Sequence, residues 1–539
     1  VTLQDRRVNL PTARRLRLRL TPSARHRLTA AACAAAIGLS TTAPGLAAQA
    51  PLQLPALGDT AGEDFSVGTE RKLGDQIMRE IRRDPDYADD PILLEYLQGI
   101  FERLVAAARQ RGEIGPDLDQ RFAWEPFLVR DRSVNAFALP GGYVGVHLGL
   151  IAMTATRDEL ASVLAHELSH VTQRHIARGI ANSKRQSLIG IAATILGVLA
   201  ASRSASTDGA NAIIAGGQAA AIQGQLNFSR DMEREADRIG SAVMTSAGFA
   251  PSGMAAMFEK LAQSSRLNDY GGFPYLRSHP LTTERIGEAR ARLGTARTVA
   301  PVSVLEHTAA QARARVLMDT RNDALRRWQM LDADNTASNV ADKLAGAYES
   351  ALASTLLRDW TRADASLAKA LALVQGSPRS DARAERAVVL LIAQSQLERG
   401  DTLRAERTLQ PYAAENARPV ALFSGRIALV RGDADELKRS ADALQTWVTG
   451  HPNDAETWSL LGQTWGKLGQ PLRSLRAEAE SRLALGDLTG AVDRLRAGQR
   501  LGRSASGADF IEASVIDARL REIEAQRRQL AAEEKRPGG

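Results

Sequence analysis

At 539 residues the chain is too long for one compact core, and two or three domains are expected. Aromatic residues make up only 4%, which disfavours a β-sandwich and favours packed helices. The formal charge of +7 is not a nucleic-acid footprint, because residues 1–50 carry eight Arg, no Lys and one acidic residue, leaving 61 basic and 61 acidic residues in 51–539; no nucleic-acid partner is expected.

Residues 1–50 read as a signal peptide with a long basic region to Arg27, an apolar run Leu28–Leu39, and small residues at Ala48–Ala50 that suit cleavage near Ala50. Cys33, the sole cysteine, lies inside this leader, so an exported chain has no thiol for disulfides, nucleophilic catalysis or Cys-type zinc sites. Residues 51–65 form a linker.

Helical periodicity is expected over 66–84 and 91–111, the second with Ile92, Leu93, Leu97, Ile100, Phe101 and Leu104 on one face. Arg121–Arg130 suits a strand. Ser133–Leu150 (SVNAFALPGGYVGVHLGL) suits a hairpin punctuated at Pro140-Gly141-Gly142. Pro140 places the first of these strands at a sheet edge, where an extended peptide could add as a further strand.

The stretch 160–177 (LASVLAHELSHVTQRHIA) is expected as one helix carrying His166, Glu167 and His170 in the spacing H-E-x-x-H. Residues four apart share a helix face, so both imidazoles can reach one metal ion, with Glu167 beside them as general base. The flanking Val163, Leu164, Ala165, Leu168 and Val171 are apolar, as befits a helix inside a packed domain. Residues 188–201 are apolar for fourteen positions, shorter than the roughly 20 that cross a bilayer. With the Ala/Gly/Ser-rich stretch that follows, they read as a buried helix, a lid over the site, or a surface that touches a membrane.

A second helix is expected over 228–244 (FSRDMEREADRIGSAVM). A site of this type needs a third protein ligand. Glu233 could supply it, with Asp237, four residues on, hydrogen-bonding a ligating His. Two His and a carboxylate suit one Zn2+.

HELSH, EREAD, SHPLTTERI at 278–286 and NAFALPGG upstream together resemble the zinc endopeptidase family that includes the CAAX-prenyl and HtpX-type proteases. The resemblance is closer to its exported branch, the BepA-like β-barrel-assembly-enhancing proteases of the Gram-negative periplasm. It implies His166, His170 and Glu233 as zinc ligands, Glu167 as catalytic base and Asp237 as partner of a ligand. It also implies Asn135–Gly142 as the substrate-side edge strand, with Asn135, Ala136, Phe137, Gly141 and Gly142 binding substrate. His279 and Arg285 carry over from an H-P-x-x-x-x-R segment. His279 either stabilises an oxyanion with Arg285, or takes the fourth metal position and leaves the resting enzyme latent, the role the resemblance implies; the two can alternate. His147, His175, His307 and His451 match no motif and are expected as surface or packing residues.

From about 305 to 505 the chain is helical by periodicity, with turns at Gly400-Asp401, Gly432-Asp433 and Gly486-Asp487 and a related Gly469. Trp458, Leu461, Gly462 and Trp465 follow the spacing of a tetratricopeptide repeat, and Ala405 and Ala491 fit a repeat's second helix. Residues 509–536 read as a capping helix. The expected architecture is mainly α with a small β-hairpin or sheet: a zincin-type protease domain over 51–300, a tetratricopeptide-repeat solenoid over 305–505, and a cap and tail over 506–539.

The expected function is a periplasmic zinc endopeptidase acting on unfolded or stalled chains. By resemblance its partners are outer-membrane proteins and the β-barrel assembly machinery; the apolar composition of 188–222 also leaves peripheral membrane contact open, behind the buried-helix and lid readings. The alternative is a non-proteolytic chaperone or scaffold that holds clients through the repeats. A membrane-embedded protease would need several apolar stretches of about 20 residues, which the sequence lacks.

Overall fold

The computed structural model describes residues 65–182, 196–197, 229–267, 273–293, 304–333, 339–377, 381–503 and 508–534. The leader, nearly all of the linker, and the stretch 188–224 apart from 196–197 lie outside the described residues.

The first half carries ten described helices and four strands. In chain order these are α1 (Val67–Ile81), β1 (Tyr87–Ala88), α2 (Pro91–Gln110), α3 (Pro116–Arg121), β2 (Glu125–Val129), β3 (Ala136–Leu139) and β4 (Tyr143–His147). Then follow α4 (Leu148–Met153), α5 (Arg157–Thr172), α6 (His175–Asn182), α7 (Arg230–Ser246), α8 (Ser252–Leu267), α9 (Tyr275–Ser278) and α10 (Thr283–Arg292). Local chemistry sets several starts. Ser66, Asp90, Thr156, Ser229 and Thr282 each accept a hydrogen bond from a first-turn backbone N–H, which satisfies a donor the helix cannot.

The strands form one sheet in the order β1-β2-β4-β3. The expected hairpin is the antiparallel β3–β4 pair, turned at Pro140–Gly142, and β3 is its edge strand. β2 pairs parallel with β4, Phe127 opposite Gly145, so the sheet is mixed. On one face α1 brings Leu73, Ile77 and Met78 against Phe127, Val129 and Tyr143. On the other, α2 and α5 bury Leu97, Phe101, Leu104, Leu164 and Leu168 with Leu128, Val144 and Val146.

Three expectations are corrected. The strand at Arg121–Arg130 shrinks to β2, because residues 116–121 form α3 behind Pro116. The hairpin ends at His147, and Leu148, Leu150 and Ile151 enter the core as α4. The helix expected over 160–177 breaks after Thr172, where Arg174 adopts φ 51°. Its guanidinium donates to Glu70 and to the Phe65 carbonyl, and these long-range contacts hold a backbone conformation that costs a non-glycine residue energy.

The second half is helical: α11 (Leu305–Leu317), α12 (Asn322–Gln329), α13 (Val340–Leu356), α14 (Trp360–Gln375), α15 (Ala382–Glu398) and α16 (Thr402–Leu409). It continues through α17 (Arg418–Arg431), α18 (Ala434–Gly450), α19 (Ala455–Lys467), α20 (Pro471–Ala484), α21 (Leu488–Gly502) and α22 (Ala508–Glu534). From α13 onward consecutive helices pack on one another, and several also reach the next but one, as in stacked hairpins. Gly400, Gly432, Gly469 and Gly486 have positive φ, which glycine adopts without a Cβ penalty. Asp401, Asp433 and Asp487 then cap the helices that follow.

α11 belongs to both halves: Ala310 and Ala314 pack into the first core, Leu305, Ala312 and Val316 into the next. At this junction His307 is buried, its Nδ1 2.7 Å from the Tyr96 hydroxyl and its Nε2 3.0 Å from the Thr154 carbonyl. Nε2–H therefore donates to Thr154, and Nδ1 accepts from Tyr96. Burial lowers its pKa from 6.5 to about 4. Between those values the unfolded chain binds a proton that the native chain does not, so stability is complete above pH 6.5 and falls as pH drops towards 4. The full effect is about 3 kcal/mol. We expect His307→Gln to lower stability at pH 7.5 but to flatten its decline between pH 6.5 and 4.5 relative to wild type. Urea titrations at several pH values measure it.

Candidate metal centre

α5 and α7 meet at the centre of the first half. Gly240 makes the crossing close: a Cβ there would lie 3.0 Å from the Ala165 carbonyl oxygen. This brings the α5 residues His166 and His170 to face Glu233 and Asp237 on α7. The turn after α9 adds His279 from the third side. One ligand atom from each of His166, His170, Glu233 and His279 lies within 4.8 Å of the others, and all four residues are buried. The Nε2 atoms of His166 and His170 are 3.0 Å apart, His279 Nδ1 is 2.9 Å from Glu233 Oε1, and His166 Nε2 is 3.3 Å from His279 Nδ1.

The donor set fits a cation. His166 Nδ1 faces Asp237 Oδ1 at 2.9 Å, and His170 Nδ1 faces His175 Nδ1 at 2.8 Å. With each Nδ1 facing another partner, both Nε2 atoms turn toward one point, where a metal ion, or in its place a shared proton, satisfies the two facing lone pairs. Glu167, fully buried, accepts a hydrogen bond from the Ala138 N–H at Oε2 (3.0 Å), while its Oε1 has no hydrogen-bond partner and lies 3.5 Å from His279 Nε2.

Charge is concentrated here. Burial opposes a charged His166, but Asp237 and Glu233 beside it raise its pKa to about 10. Burial also works against an ionised Glu233, yet His279 and His166 hold its pKa well below the carboxylate range. The Glu167 carboxyl is pushed up, chiefly by burial. Arg285 forks onto Asp237 with Nε and Nη2 (2.7 and 2.8 Å) and reaches Glu233 Oε2 with Nη1 at 2.8 Å. It thus ties Glu233 to Asp237. Thr282 starts α10 and so fixes the position of Arg285.

β3 runs beside α5. The His147 N–H donates to the Asn135 carbonyl, so by alternation Phe137 and Leu139 also bond to β4, whereas Ala136 and Ala138 direct their backbone groups outward. Of the five expected substrate-strand residues, only Ala136 offers an outward backbone pair. Ala138, not singled out from sequence, also faces outward, but its N–H donates to Glu167 Oε2, which leaves it the carbonyl. Gly141 and Gly142 are buried in the turn at φ 80° and 92°, against Arg71 and against Phe122–Trp124.

Sequence reasoning also passed over His175, which contacts His170. His147 and His307 are buried and hydrogen-bonded, and His451 is exposed and stacked on Trp447. No helix among the described residues is long and apolar enough to cross a membrane.

Residues 92–293 match the family described as Peptidase family M48. The chain is 30% identical over 450 residues to a protein of Yersinia pestis named β-barrel assembly-enhancing protease, covering 82% of this chain and 86% of that one. A Vibrio cholerae relative, provisionally given the same name, is 38% identical over 275 residues, and the match spans 54% of its length, about half. The mitochondrial metalloendopeptidase OMA1 of Saccharomyces cerevisiae is 32% identical over 196 residues, 35% of this chain and 53% of that protein.

Proposed function

Because this chain belongs to peptidase family M48, and is therefore a metalloendopeptidase, we propose that it is a zinc enzyme of the periplasm that cleaves unfolded or stalled outer-membrane proteins. The observation that carries the reading is the convergence of His166, His170 and Glu233 beside a buried carboxylate, Glu167, with an oxygen left unbonded. His166, His170 and Glu233 would hold the metal, which when bound polarises the scissile carbonyl and acidifies water. Asp237 orients His166. Arg285 neutralises Asp237 and Glu233 together. Glu167 takes the proton from attacking water and returns it to the leaving amine. Substrate lies extended along β3 and pairs with the outward N–H and C=O of Ala136 and with the outward C=O of Ala138, whose N–H is held by Glu167, which selects chains that are locally unfolded. His279 sits within ligand distance of the same centre and serves as a fourth, displaceable ligand that keeps the resting enzyme latent; once displaced, it and Arg285 can donate to the oxyanion. The names of the Yersinia and Vibrio relatives and the signal-peptide pattern of residues 1–50 support the location and the substrate class.

The test is metal content and cleavage together. About one zinc per purified chain is expected, lost or weakened in Glu233→Ala, with cleavage of an unfolded outer-membrane β-barrel protein and not of its folded form. A wild-type chain that takes up no zinc would remove the catalytic reading.

A second reading, holding of clients through tetratricopeptide-like repeats and docking of the β-barrel assembly machinery, is favoured by two cavities of about 890 and 700 Å3 between α2 and the helical half. Both run along α2 and share Glu95, Gly99 and Glu102. A Cβ at Gly99 would meet nothing within 4 Å, so Gly99→Phe fills the space at little structural cost. It is expected to weaken suppression of client aggregation several-fold while zinc content stays at the wild-type level. Unchanged holding would move client binding elsewhere.

A further inference from the structure

We propose that His175 and Glu235 form a positioning relay that fixes the tautomer and orientation of His170; the inference rests on His170 being a metal ligand. His170 Nδ1 and His175 Nδ1 are 2.8 Å apart, with ring centroids separated by 4.8 Å and planes at 77°. Two neutral imidazoles at that distance share one proton between the facing nitrogens, so one ring donates and the other accepts. His170 keeps a lone pair on Nε2, the atom turned toward His166 Nε2, and therefore carries its proton on Nδ1 and donates. His175 Nδ1 then accepts, which places the His175 proton on Nε2. That N–H points at Glu235 Oε2, 3.0 Å away, and Arg178 Nη2 holds the same oxygen at 2.8 Å. From Glu235 to His170 each ring N–H meets an acceptor: His170 Nδ1–H meets His175 Nδ1, and His175 Nε2–H meets Glu235 Oε2.

The geometry depends on the break at Arg174. On an unbroken helix a residue five positions on sits about 140° round the axis, and His175 could not face His170. The left-handed Arg174, held by Glu70 and the Phe65 carbonyl, breaks the helix so that His175 opens α6 facing His170. The E-x-E-x-D run of α7 then has three tasks: Glu233 joins the cluster, Asp237 faces His166 directly, and Glu235 reaches His170 through His175. His175 is fully buried, whereas the Glu235 and Arg178 side chains are 32% and 33% exposed. The relay thus runs from the cluster to the surface.

Partners of this kind typically change metal affinity 10–100-fold. In zinc competition with a chelator, His175→Ala is expected to bind zinc about 10–100-fold more weakly than wild type. Glu235→Gln, whose amide oxygen still accepts from His175 Nε2–H, should lose less than Glu235→Ala. Long-range 1H–15N spectra of selectively labelled, zinc-loaded protein should show His170 protonated on Nδ1 and His175 on Nε2. A His175 protonated on Nδ1 overturns the proposal. So does a His175→Ala protein whose metal-free melting temperature falls while its zinc affinity stays within about twofold, since 1.4 kcal/mol is already tenfold in affinity. If wild type binds no zinc, or His170→Ala binds it as tightly as wild type, the ligand reading fails and the relay with it. If only the His175 and Glu235 variants are silent, the relay alone fails.

Discussion

Glu167→Gln is expected to lower peptide hydrolysis by at least about 10²–10⁴-fold, the usual contribution of a positioned general base, with zinc content and thermal stability close to wild type. Three observations set the expectation. Glu167 is fully buried, its Oε2 is fixed by the Ala138 N–H at 3.0 Å, and its Oε1 is the oxygen with no hydrogen bond at the cluster's edge. A glutamine is nearly isosteric and keeps the Ala138 hydrogen bond only with its carbonyl oxygen toward the strand. That orientation turns an amide NH2, with no basic lone pair, toward the cluster. Base function is lost while β3 stays in place. Single-turnover kinetics on an unfolded polypeptide, with metal analysis and a thermal melt on the same preparation, separate the cases. Residual activity within about tenfold of wild type would assign proton transfer to another group, with His279, 3.5 Å away, first in line. Glu167→Ala is the less informative variant because it also releases the Ala138 amide.

The convergence of His166, His170 and Glu233 was legible in sequence where it rests on local periodicity. H-E-x-x-H and Glu233/Asp237 each place two functional groups one turn apart on one helix, and each of the two helices starts at its own capping residue, Thr156 or Ser229. What sequence did not carry is set by contacts between distant residues. His175 looked like a packing residue because the break before it depends on Glu70 and Phe65, 104 and 109 positions away from Arg174. The parallel β2–β4 pairing has no local signature, unlike the β3–β4 turn at Pro140–Gly142. α4 was taken into the hairpin because Leu148-Gly149-Leu150 reads equally as strand or helix. In the fold Gly149 lies so close to the Arg132 and Ser133 carbonyls that a Cβ would come within 2.1 Å of one, which suits a tight corner. In the helical half the Gly-Asp turns were readable because glycine's positive φ and aspartate's capping are properties of single residues. Which helices touch α2 was not.

The same limit applies to a pair of contacts between the two halves, whose loss should have a large effect on stability. Asp89 and Asp90, consecutive residues at the start of α2, are each gripped by a buried arginine of the helical half. Arg418 forks onto Asp89 at 2.6 and 2.8 Å and onto Asp454 at 2.7 and 3.0 Å. Arg313, 1% exposed, forks onto Asp90 at 2.6 and 2.7 Å and donates to Gln394 and Tyr348. Asp90 also caps α2, and α2 packs on α5, so this pair connects the helical half to the helix bearing His166 and His170. Asp90 and Arg313 are 223 positions apart. Arg313→Met is expected to destabilise the chain by about 3–5 kcal/mol, because it leaves a carboxylate beside an apolar group with only the α2 amides to stabilise it. Adding Asp90→Asn should recover part of that loss: asparagine caps a helix almost as well as aspartate, and the stranded charge is gone. Urea denaturation of the single and double variants measures the coupling. If the double variant is as unstable as the sum of the singles, the cost of Arg313→Met is lost packing against Tyr348 and its neighbours, and the pair serves register between the halves more than stability.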